Sequence, residues 1–266
     1  MPELPEVETV RRGLEKSILN KKITEVIIKR KNVVKEPGVG QFKKGLIGKK
    51  VKGIIRRAKL IIIELENNKY LIIHLRIAGW LEYGKQMEKA RVVFKLSNEK
   101  YLNYMDQRLL GELRLRNSYE DLNFIKTLGP EPFDINSKQF QEIITKRKTN
   151  IKTLLLNQKV IAGIGNIYAQ EALFLSGIDP QRPAYSLSNK EAGSLLKKII
   201  LVLKEGIKYG GSSVDTYRNI EGSKGGMEKR LKVYGRENEP CFSCGKAIAK
   251  IALAGRGTCF CAYCQK

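Results

Sequence analysis

Apolar residues recur at helical spacing near the start of the chain, after prolines at positions 2 and 5. Val7, Val10, Leu14 and Ile18 are three or four residues apart, which predicts an amphipathic helix over residues 4–19. An apolar stripe on a helix is stable in water only when another surface covers it. We therefore expect this helix to pack on the segment that follows it and to anchor the N-terminus.

Beyond residue 23 the helical spacing gives way to short runs rich in β-branched residues, separated by turn residues. This pattern is typical of a β-sandwich or a β-barrel. Two breaks, Asn67-Asn68 and Asn98-Glu99, are short enough to be hairpin turns between antiparallel neighbours. The runs that we interpret as strands span residues 24–28, 51–55, 60–65, 70–75, 92–96, 101–104 and 112–115.

Helical patterns dominate after the Gly-Pro-Glu-Pro segment at residues 129–132, which predicts a domain boundary. The last predicted helix, over residues 188–208, opens with a capping box formed by Ser188 and Glu191. Residues 210–230 are rich in glycine, serine and charge and have few apolar anchors, which predicts a mobile loop. The other predicted helices lie around residues 140–144, 151–155 and 167–175.

The chain has 266 residues, enough for two domains with cores of their own. Its 50 lysine and arginine residues exceed its 27 acidic residues, and the excess is present in both halves of the sequence. So basic a protein most often binds a polyanion, and nucleic acid is the favoured partner. An anionic membrane surface is the alternative, but no apolar run approaches the roughly 18 residues of a spanning helix, and no signal peptide is recognisable. We expect a cytoplasmic protein.

The chain carries one histidine, His74, too few for a catalytic metal site built from several histidines, and a histidine-based triad is equally unsupported. A different candidate nucleophile stands in Met1-Pro2-Glu3. Removal of Met1 would expose the secondary amine of Pro2, which can attack an electrophilic carbon and continue as an iminium ion, with the Glu3 carboxyl beside it. The same residues also suit the first turn of a helix. On these residues alone, the helix start is the favoured interpretation.

Four of the five cysteines form two Cys-x-x-Cys pairs, Cys241 with Cys244 and Cys261 with Cys264, and sixteen residues separate the pairs. This spacing predicts one tetrahedral zinc site on two knuckles. Four thiolates leave no coordination position for a catalytic water, so the zinc is expected to be structural. Disulfides are the alternative, disfavoured in a cytoplasmic protein. The spacing of the remaining cysteine, Cys259, suits a strand residue outside the knuckles.

Two further segments have the residues of phosphate-binding sites. The Gly-Ile-Gly-Asn turn at residues 163–166 lies between two predicted helices, where glycines allow close backbone approach and the next helix offers free amide donors. Lys152 lies one short helix earlier. Arg256 is expected at the tip of the zinc hairpin, on residues 255–257, within reach of a nucleic-acid backbone. A packing turn and a solvated arginine are the alternatives.

Four segments together resemble the bacterial formamidopyrimidine-DNA glycosylase family, and they occur in order along essentially the whole chain. The segments span residues 2–9, 163–169, 233–237 and 256–265. The resemblance implies an α+β protein with an N-terminal helix and β-sandwich, a helix-two-turn-helix domain and a four-cysteine zinc finger. We expect these domains over residues 1–130, 131–235 and 236–266, with duplex DNA in the cleft between the two halves.

The resemblance also implies a monomeric bacterial enzyme of base-excision repair, associated with the nucleoid. It would excise oxidised purines, such as 8-oxoguanine and formamidopyrimidines, from double-stranded DNA and then nick the strand by β,δ-elimination. Pro2 would attack C1′ of the damaged nucleotide and form a Schiff base, and Glu3 would shuttle protons while the sugar opens. Lys59 and Arg256 complete the catalytic residues that the family pattern assigns to this chain.

The same family pattern assigns the grip on DNA around the flipped nucleotide to His74, Lys152, Asn166 and Arg256. Tyr217, together with residues 222–226, matches the loop that closes over the everted base.

Three positions match the residues that fill the hole left by the flipped base, and the chain departs from the family there. The family usually has Met, Arg and Phe, whereas this chain has Ile77, Arg108 and Leu110. Ile and Leu are still apolar wedges, although they stack less well on bases, and filling the sandwich core is the alternative role. Gln107 and Ala78 also replace a usual proline and a usual polar residue. Lesion preference is therefore open, and we expect that discrimination of the opposite base, which Arg108 would provide by bonding the orphaned cytosine, survives in altered form.

Two other functions remain open. One is an endonuclease VIII-like preference for oxidised pyrimidines, although that sister family typically has Gly at the position of Leu4. The other is a non-catalytic binder of damaged DNA, against which the set Pro2, Glu3 and Lys59 argues. Catalysis also requires a processed N-terminus, because a retained Met1 would make Pro2 an amide without a nucleophilic lone pair.

Overall fold

The computed structural model describes residues 2–214 and 216–266, and this part of the chain is an α+β protein, as the sequence predicts. Met1, whose removal the candidate nucleophile requires, lies outside the described residues. The chain divides into two compact units. Unit 1 extends to Lys126 and also takes in Ile207–Glu228, whereas unit 2 comprises Thr127–Gly206 and Lys229–Lys266.

Helices and strands occur in both units. The helices are α1 (Leu4–Ile18), α2 (Val39–Leu46), α3 (Asn123–Lys126), α4 (Ser137–Thr145), α5 (Ile151–Leu156), α6 (Asn166–Leu175) and α7 (Asn189–Lys208). The strands are β1 (Ile23–Ile28), β2 (Val34–Glu36), β3 (Val51–Arg57), β4 (Leu60–Leu65), β5 (Lys69–His74), β6 (Gly79–Gly84), β7 (Val92–Leu96), β8 (Tyr101–Asp106), β9 (Glu112–Arg116), β10 (Ala249–Leu253) and β11 (Arg256–Phe260). Among the described residues, no helix is both long and apolar enough to cross a bilayer.

Helix α1 has the buried stripe that its sequence predicts. Val7, Val10 and Leu14 are fully buried in the core of unit 1. The helix begins after its N-cap residue, Glu3, whose backbone N–H donates to the Glu6 carboxylate at 2.8 Å. This contact fixes the direction in which the chain enters the helix.

Unit 1 is a sandwich of two sheets, with strand orders β1-β7-β8-β6 and β2-β9-β5-β4-β3. Apolar residues of both sheets and of α1 share one core cluster. All seven predicted strands are present, whereas the sequence pattern missed β2, β6, α2 and α3. Strand β6 has the sequence Gly-Trp-Leu-Glu-Tyr-Gly, and glycine, which is depleted in strands, stands at both of its ends, so its strand signal is short.

Two turns carry the chain from one sheet to the other at the same end of the sandwich. They span residues 75–78, between β5 and β6, and residues 107–111, between β8 and β9. Strand pairing sets them side by side: His74 pairs with Glu112 in one sheet, and Gly79 pairs with Asp106 in the other. We refer to this end of unit 1, with residues 58–59, 74–79 and 106–112, as the turn end.

Of the segment 210–230, the described residues up to Glu228 belong to unit 1 and are anchored there, contrary to the prediction that the segment has few apolar anchors. Tyr217 and Ile220 are buried in the core cluster. Ile220 lies so close to α1 that a Cβ atom on Gly13 would stand 2.7 Å from its Cγ1 atom. Two apolar side chains, three residues apart, therefore hold this segment against the helix that begins at Glu3.

Unit 2 contains α4 to α6, most of α7 and the β10–β11 hairpin. The predicted capping box at the start of α7 is confirmed, because Ser188 N–H donates to the Glu191 carboxylate at 2.8 Å and Ser188 Oγ accepts the Glu191 N–H at 3.3 Å. The buried Glu171 of α6 accepts backbone N–H groups at 2.7 to 3.0 Å from the segment 232–234. Through these hydrogen bonds the Glu171 carboxylate holds residues 232–234, which lead into the hairpin, against α6.

Candidate active site

The start of α1 holds the candidate nucleophile against the 210–230 segment. Pro2 and Glu3 are both buried. One oxygen of the Glu6 carboxylate accepts the Glu3 N–H at 2.8 Å, and the other accepts the Ser212 N–H at 2.7 Å. The Tyr217 hydroxyl donates to the Glu6 carbonyl oxygen at 3.4 Å. The sequence analysis missed the role of Glu6, although a carboxyl three residues after an N-cap is the signature of a capping box.

An arginine connects α1 to the turn between β3 and β4. Arg56 donates from Nε to the Glu8 carboxylate at 3.1 Å and from Nη1 to the Ala58 carbonyl oxygen at 3.1 Å. Burial raises the pKa of Glu8, but its arginine partners, Arg12 foremost, outweigh burial and hold that pKa below the ordinary value. Lys59 follows Ala58 in this turn and is itself buried. The β3–β4 turn belongs to the turn end of unit 1, because Leu60, the residue after Lys59, pairs with His74 at the end of β5.

His74, the last residue of β5, is a neutral hydrogen-bond donor. Its Nδ1 atom accepts the Arg76 backbone N–H at 3.0 Å, which puts the imidazole proton on Nε2. Burial, assisted by the charges of Arg76 and Lys59, lowers the pKa of His74 to about 3. If His74 binds a phosphate as expected, it would therefore do so through one hydrogen bond from Nε2–H of an uncharged ring.

Replacing His74 with Gln is expected to lower the single-turnover nicking rate by the same factor at every pH between about 5 and 8, because a group of pKa about 3 does not titrate in that range. The depressed pKa affects stability only in acid, where the unfolded chain takes up the proton first. The contribution of His74 to stability is lost as the pH falls from 6.5 towards about 3, and this part of the acid destabilisation is absent from His74→Gln. A rate inflection near neutral pH in the wild type, absent from His74→Gln, would contradict the neutral-donor role.

The three residues predicted to fill the hole left by the flipped base, Ile77, Arg108 and Leu110, lie at the turn end. Leu110 is 45% exposed, Arg108 is exposed and Ile77 is half-buried. Leu109, between the two exposed residues, packs against the core cluster instead. The interpretation that Leu110 fills the sandwich core is therefore wrong, and the 107–111 turn presents an arginine and an apolar side chain to solvent.

In unit 2, the residues predicted to hold phosphates meet at the β10–β11 hairpin. Asn166 begins α6, and its Nδ2 atom donates to the Gly257 carbonyl oxygen at 3.3 Å. Lys152 is completely buried, and its Nζ atom donates to the Thr258 hydroxyl at 2.5 Å. Lys152 thus supports the strand that begins with the exposed Arg256. A direct contact between Lys152 and a phosphate stays a prediction.

The tip of the hairpin lies one residue earlier than the sequence analysis expected. Ala254 and Gly255 form the turn and have φ values of 51° and 68°, as a type I′ hairpin requires. Arg256 pairs with Leu253 as the first residue of the returning strand. Its backbone is therefore fixed by the ladder while its side chain stays exposed.

The four predicted zinc ligands converge on one point. Their Sγ atoms all lie within 4.8 Å of one another, with 3.9 Å between Cys241 and Cys264 and 3.5 Å between Cys244 and Cys261. Zn–S bonds of about 2.3 Å in a tetrahedron require S···S separations of about 3.8 Å. The cluster therefore fits one structural Zn²⁺. Cys259 lies in β11 among apolar neighbours, as predicted.

Comparison with known families assigns all three parts of the chain. The formamidopyrimidine-DNA glycosylase N-terminal domain matches residues 1–113, and the formamidopyrimidine-DNA glycosylase H2TH domain matches residues 128–218. The zinc finger found in FPG and IleRS matches residues 238–266.

Relatives that match over the whole length of the chain support the same family. The formamidopyrimidine-DNA glycosylase of Desulfitobacterium hafniense is 41% identical over 273 residues, and that of Listeria monocytogenes is 38% identical over 274 residues, with 100% of each chain covered. A crystal structure of a Lactococcus lactis FPG variant with Fapy-dG-containing DNA superposes with a TM-score of 0.92 at 40% identity, covering 100% of both chains. The Lactococcus lactis enzyme with abasic-site DNA gives 0.92 at 39% identity, again over 100% of both chains. The chain therefore belongs to the formamidopyrimidine-DNA glycosylase family.

Proposed function

We propose that this protein is a bifunctional base-excision repair enzyme, which releases oxidised purines from duplex DNA and then cleaves the strand at the abasic site. The observation that carries the proposal is the arrangement at the start of α1. Pro2 and Glu3 are buried there, and Glu6 binds this segment to Ser212. Family membership supports the proposal, and the Lactococcus lactis relatives were solved with DNA containing Fapy-dG or an abasic site.

The chemistry follows from the secondary amine of a processed N-terminus. The Pro2 nitrogen lone pair attacks C1′, the glycosidic bond breaks, and the damaged base leaves with the proton that the attacking amine gives up. Glu3 delivers a proton to the ring oxygen as the sugar opens, which leaves an iminium ion between C1′ and the Pro2 nitrogen. The iminium acidifies the C2′ proton, so loss of that proton expels the 3′ phosphate and a second elimination expels the 5′ phosphate.

Two cations assist these steps. Lys59 is buried in the β3–β4 turn, and a cation beside Pro2 disfavours protonation of the amine. Arg256 is exposed at the hairpin, where a guanidinium suits the binding of a phosphate that gains charge as it leaves.

The remaining site residues hold the DNA. Arg108, with Ile77 and Leu110, fills the gap in the duplex and contacts the orphaned opposite base. His74 and the N-terminus of α6 at Asn166 bind phosphates, together with Lys152 if its side chain becomes accessible. Residues 222–226 close over the everted base, and the buried Tyr217 anchors the segment that carries them. We propose residues 1–130, 131–235 and 236–266 as the three functional domains of a monomer that acts on the bacterial nucleoid in the cytoplasm.

Borohydride trapping tests the proposal. The protein is mixed with a duplex carrying 8-oxoguanine opposite cytosine, borohydride is added, and the product is mapped by mass. The expected result is a covalent DNA adduct on Pro2, because borohydride reduces an iminium to a stable amine. A protein that binds this duplex without forming an adduct is a non-catalytic binder, and an adduct on a lysine overturns the role of Pro2.

A second candidate specificity, for oxidised pyrimidines, is favoured by one observation. The turn end exposes a leucine, Leu110, where the family usually has a phenylalanine, so the wedge is smaller. Release of thymine glycol and of 8-oxoguanine from otherwise identical duplexes decides between the two specificities. Faster release of 8-oxoguanine is expected, and a preference for thymine glycol would replace the purine assignment.

A further inference from the structure

The side chain of Asp106 binds the backbone of the 107–111 turn, here called the wedge turn, at several points. Oδ1 accepts the N–H groups of Arg108 and Leu109, each at 3.0 Å, and Oδ2 accepts the Gly111 N–H at 2.7 Å. Asp106 is only 2% exposed. Hydrogen bonds from N–H groups to a buried carboxylate are among the stronger ones in proteins, so this residue fixes the path of the turn.

The strained residue of the turn, Leu109, lies between the backbone N–H groups that Asp106 binds. Leu109 has a φ of 55°, a value that a leucine adopts at an energetic cost. Its N–H is bound by Asp106, and its side chain packs against the core cluster. As a result the chain turns inward for one residue, while Arg108 on one side and Leu110 on the other are exposed.

The surroundings of the carboxylate are equally specific. The Tyr104 hydroxyl donates to Oδ2 at 3.1 Å, and burial, with the Asp106 charge, raises the pKa of Tyr104, so the hydroxyl keeps its proton. Arg91 Nε donates to the Asp106 carbonyl oxygen at 2.8 Å. A Cβ atom on Gly111 would stand 1.8 Å from the Tyr104 hydroxyl oxygen, so only glycine fits there.

We propose that Asp106 is the positioning residue for opposite-base discrimination. It acts through the backbone of residues 108–111, holding Leu109 in its strained conformation so that Arg108 and Leu110 project together. Asp106 itself touches neither DNA nor the reacting atoms. The inference rests on the proposed function, because it needs the wedge turn to enter a duplex.

Asp106→Asn tests this role. An asparagine offers one acceptor oxygen in place of two, so at least one turn N–H loses its partner. We expect nicking of 8-oxoguanine opposite cytosine to fall about tenfold, the effect of one unsatisfied buried N–H, and the preference for cytosine over adenine to fall with it. Cleavage of a single-stranded oligonucleotide with an abasic site is expected to stay near wild type, since that substrate has neither an opposite base nor a stack to fill.

Two controls bear on the same turn. Tyr104→Phe removes one bond to Oδ2 but leaves all three N–H bonds, and is expected to keep the preference for cytosine. Asp179→Asn makes the same chemical change at a carboxylate of unit 2 that accepts the Gln181 N–H at 2.7 Å, and is expected to behave as wild type. An unchanged cytosine preference in Asp106→Asn, or an equal loss on the single-stranded substrate, would overturn the proposal.

A second pair of variants keeps the test decisive if Asp106→Asn does not fold. Gly111→Ala forces a methyl group against the Tyr104 hydroxyl and is expected to lose discrimination. Adding Tyr104→Phe removes that atom, after which the nearest remaining contact would be 3.0 Å, to Asp106 Oδ2, so the double variant is expected to recover part of the preference. Absence of recovery would contradict positioning through the turn. Borohydride trapping of the wild-type protein at Pro2 is measured separately. A wild type that forms no adduct contradicts the proposed function, whereas a wild type that forms the adduct leaves the variants to test the role of Asp106 alone.

Discussion

A form of the protein in which Pro2 is held in a peptide bond is expected to give no borohydride adduct and to lose base release by more than about a thousandfold. Removal of a covalent nucleophile commonly lowers turnover by at least that factor, and an amide nitrogen has no lone pair to offer C1′. The form is made as a fusion whose cleavage leaves one residue before Met1. Its matched control is the same fusion cleaved directly before Pro2.

The two forms differ only at the chain end, so they separate chemistry from binding. Both keep Arg108, Arg256 and the zinc hairpin, and both are expected to bind an uncleavable duplex with affinities within a fewfold of each other. Equal rates of base release from both forms would show that another residue attacks the sugar. In that case the burial of Pro2 beside Glu3 would reflect helix capping alone, the interpretation that these residues favour when taken by themselves.

The parts of the fold that the sequence predicted are those with a strong local signal. The stripe of α1 and the apolar runs of the seven predicted strands are such signals, and the structure has a helix and strands at those places. Strand β6 and helix α2 were missed because both signals are short: β6 has a glycine at each end, and α2 has 8 residues and follows Gly38, which offers no side-chain cap. The anchoring of residues 210–230 was also missed, since Tyr217 and Ile220 are two apolar residues in a polar stretch and their packing partners lie far away in sequence.

The candidate site was predictable by residue type but not by role. The four zinc ligands follow from spacing alone, because two Cys-x-x-Cys pairs need only one ion between them. Lys152 was expected to face phosphate, whereas the structure buries it against Thr258, a contact across 106 residues that no local pattern contains. Glu6 and Asp106 were missed for the same reason: their partners are backbone N–H groups, which the identity of the neighbouring side chains does not reveal.

Loss of the zinc is expected to unfold the C-terminal hairpin while leaving unit 1 folded. Cys244→Ala removes one of the four ligands, and structural zinc contributes about 10 to 16 kcal/mol of apparent binding free energy in small zinc domains, more than a two-stranded hairpin can replace. The hairpin core is small, with Cys241, Cys261 and Ile248 among its buried members. We expect the zinc content to fall to near zero and amide exchange to become fast over residues 238–266.

The functional consequence follows from what the hairpin carries. Strand β11 fixes the backbone of Arg256, and Lys152 and Asn166 bind the next two residues of that strand. An unfolded hairpin would therefore release Arg256 and lose its own contacts with Lys152 and Asn166. Nicking of the duplex is expected to fall more than about a hundredfold, since the proposed catalytic cation, Arg256, and its proposed phosphate contact would be lost together. Cys259→Ala is the matched control, because this cysteine lies in β11 outside the metal cluster, and it should retain one zinc per chain. If Cys244→Ala kept its zinc while Cys259→Ala lost it, the ligand set would include Cys259. If Cys244→Ala lost its zinc but nicked DNA normally, the hairpin would have no part in the reaction, and Arg256 would not be a catalytic residue.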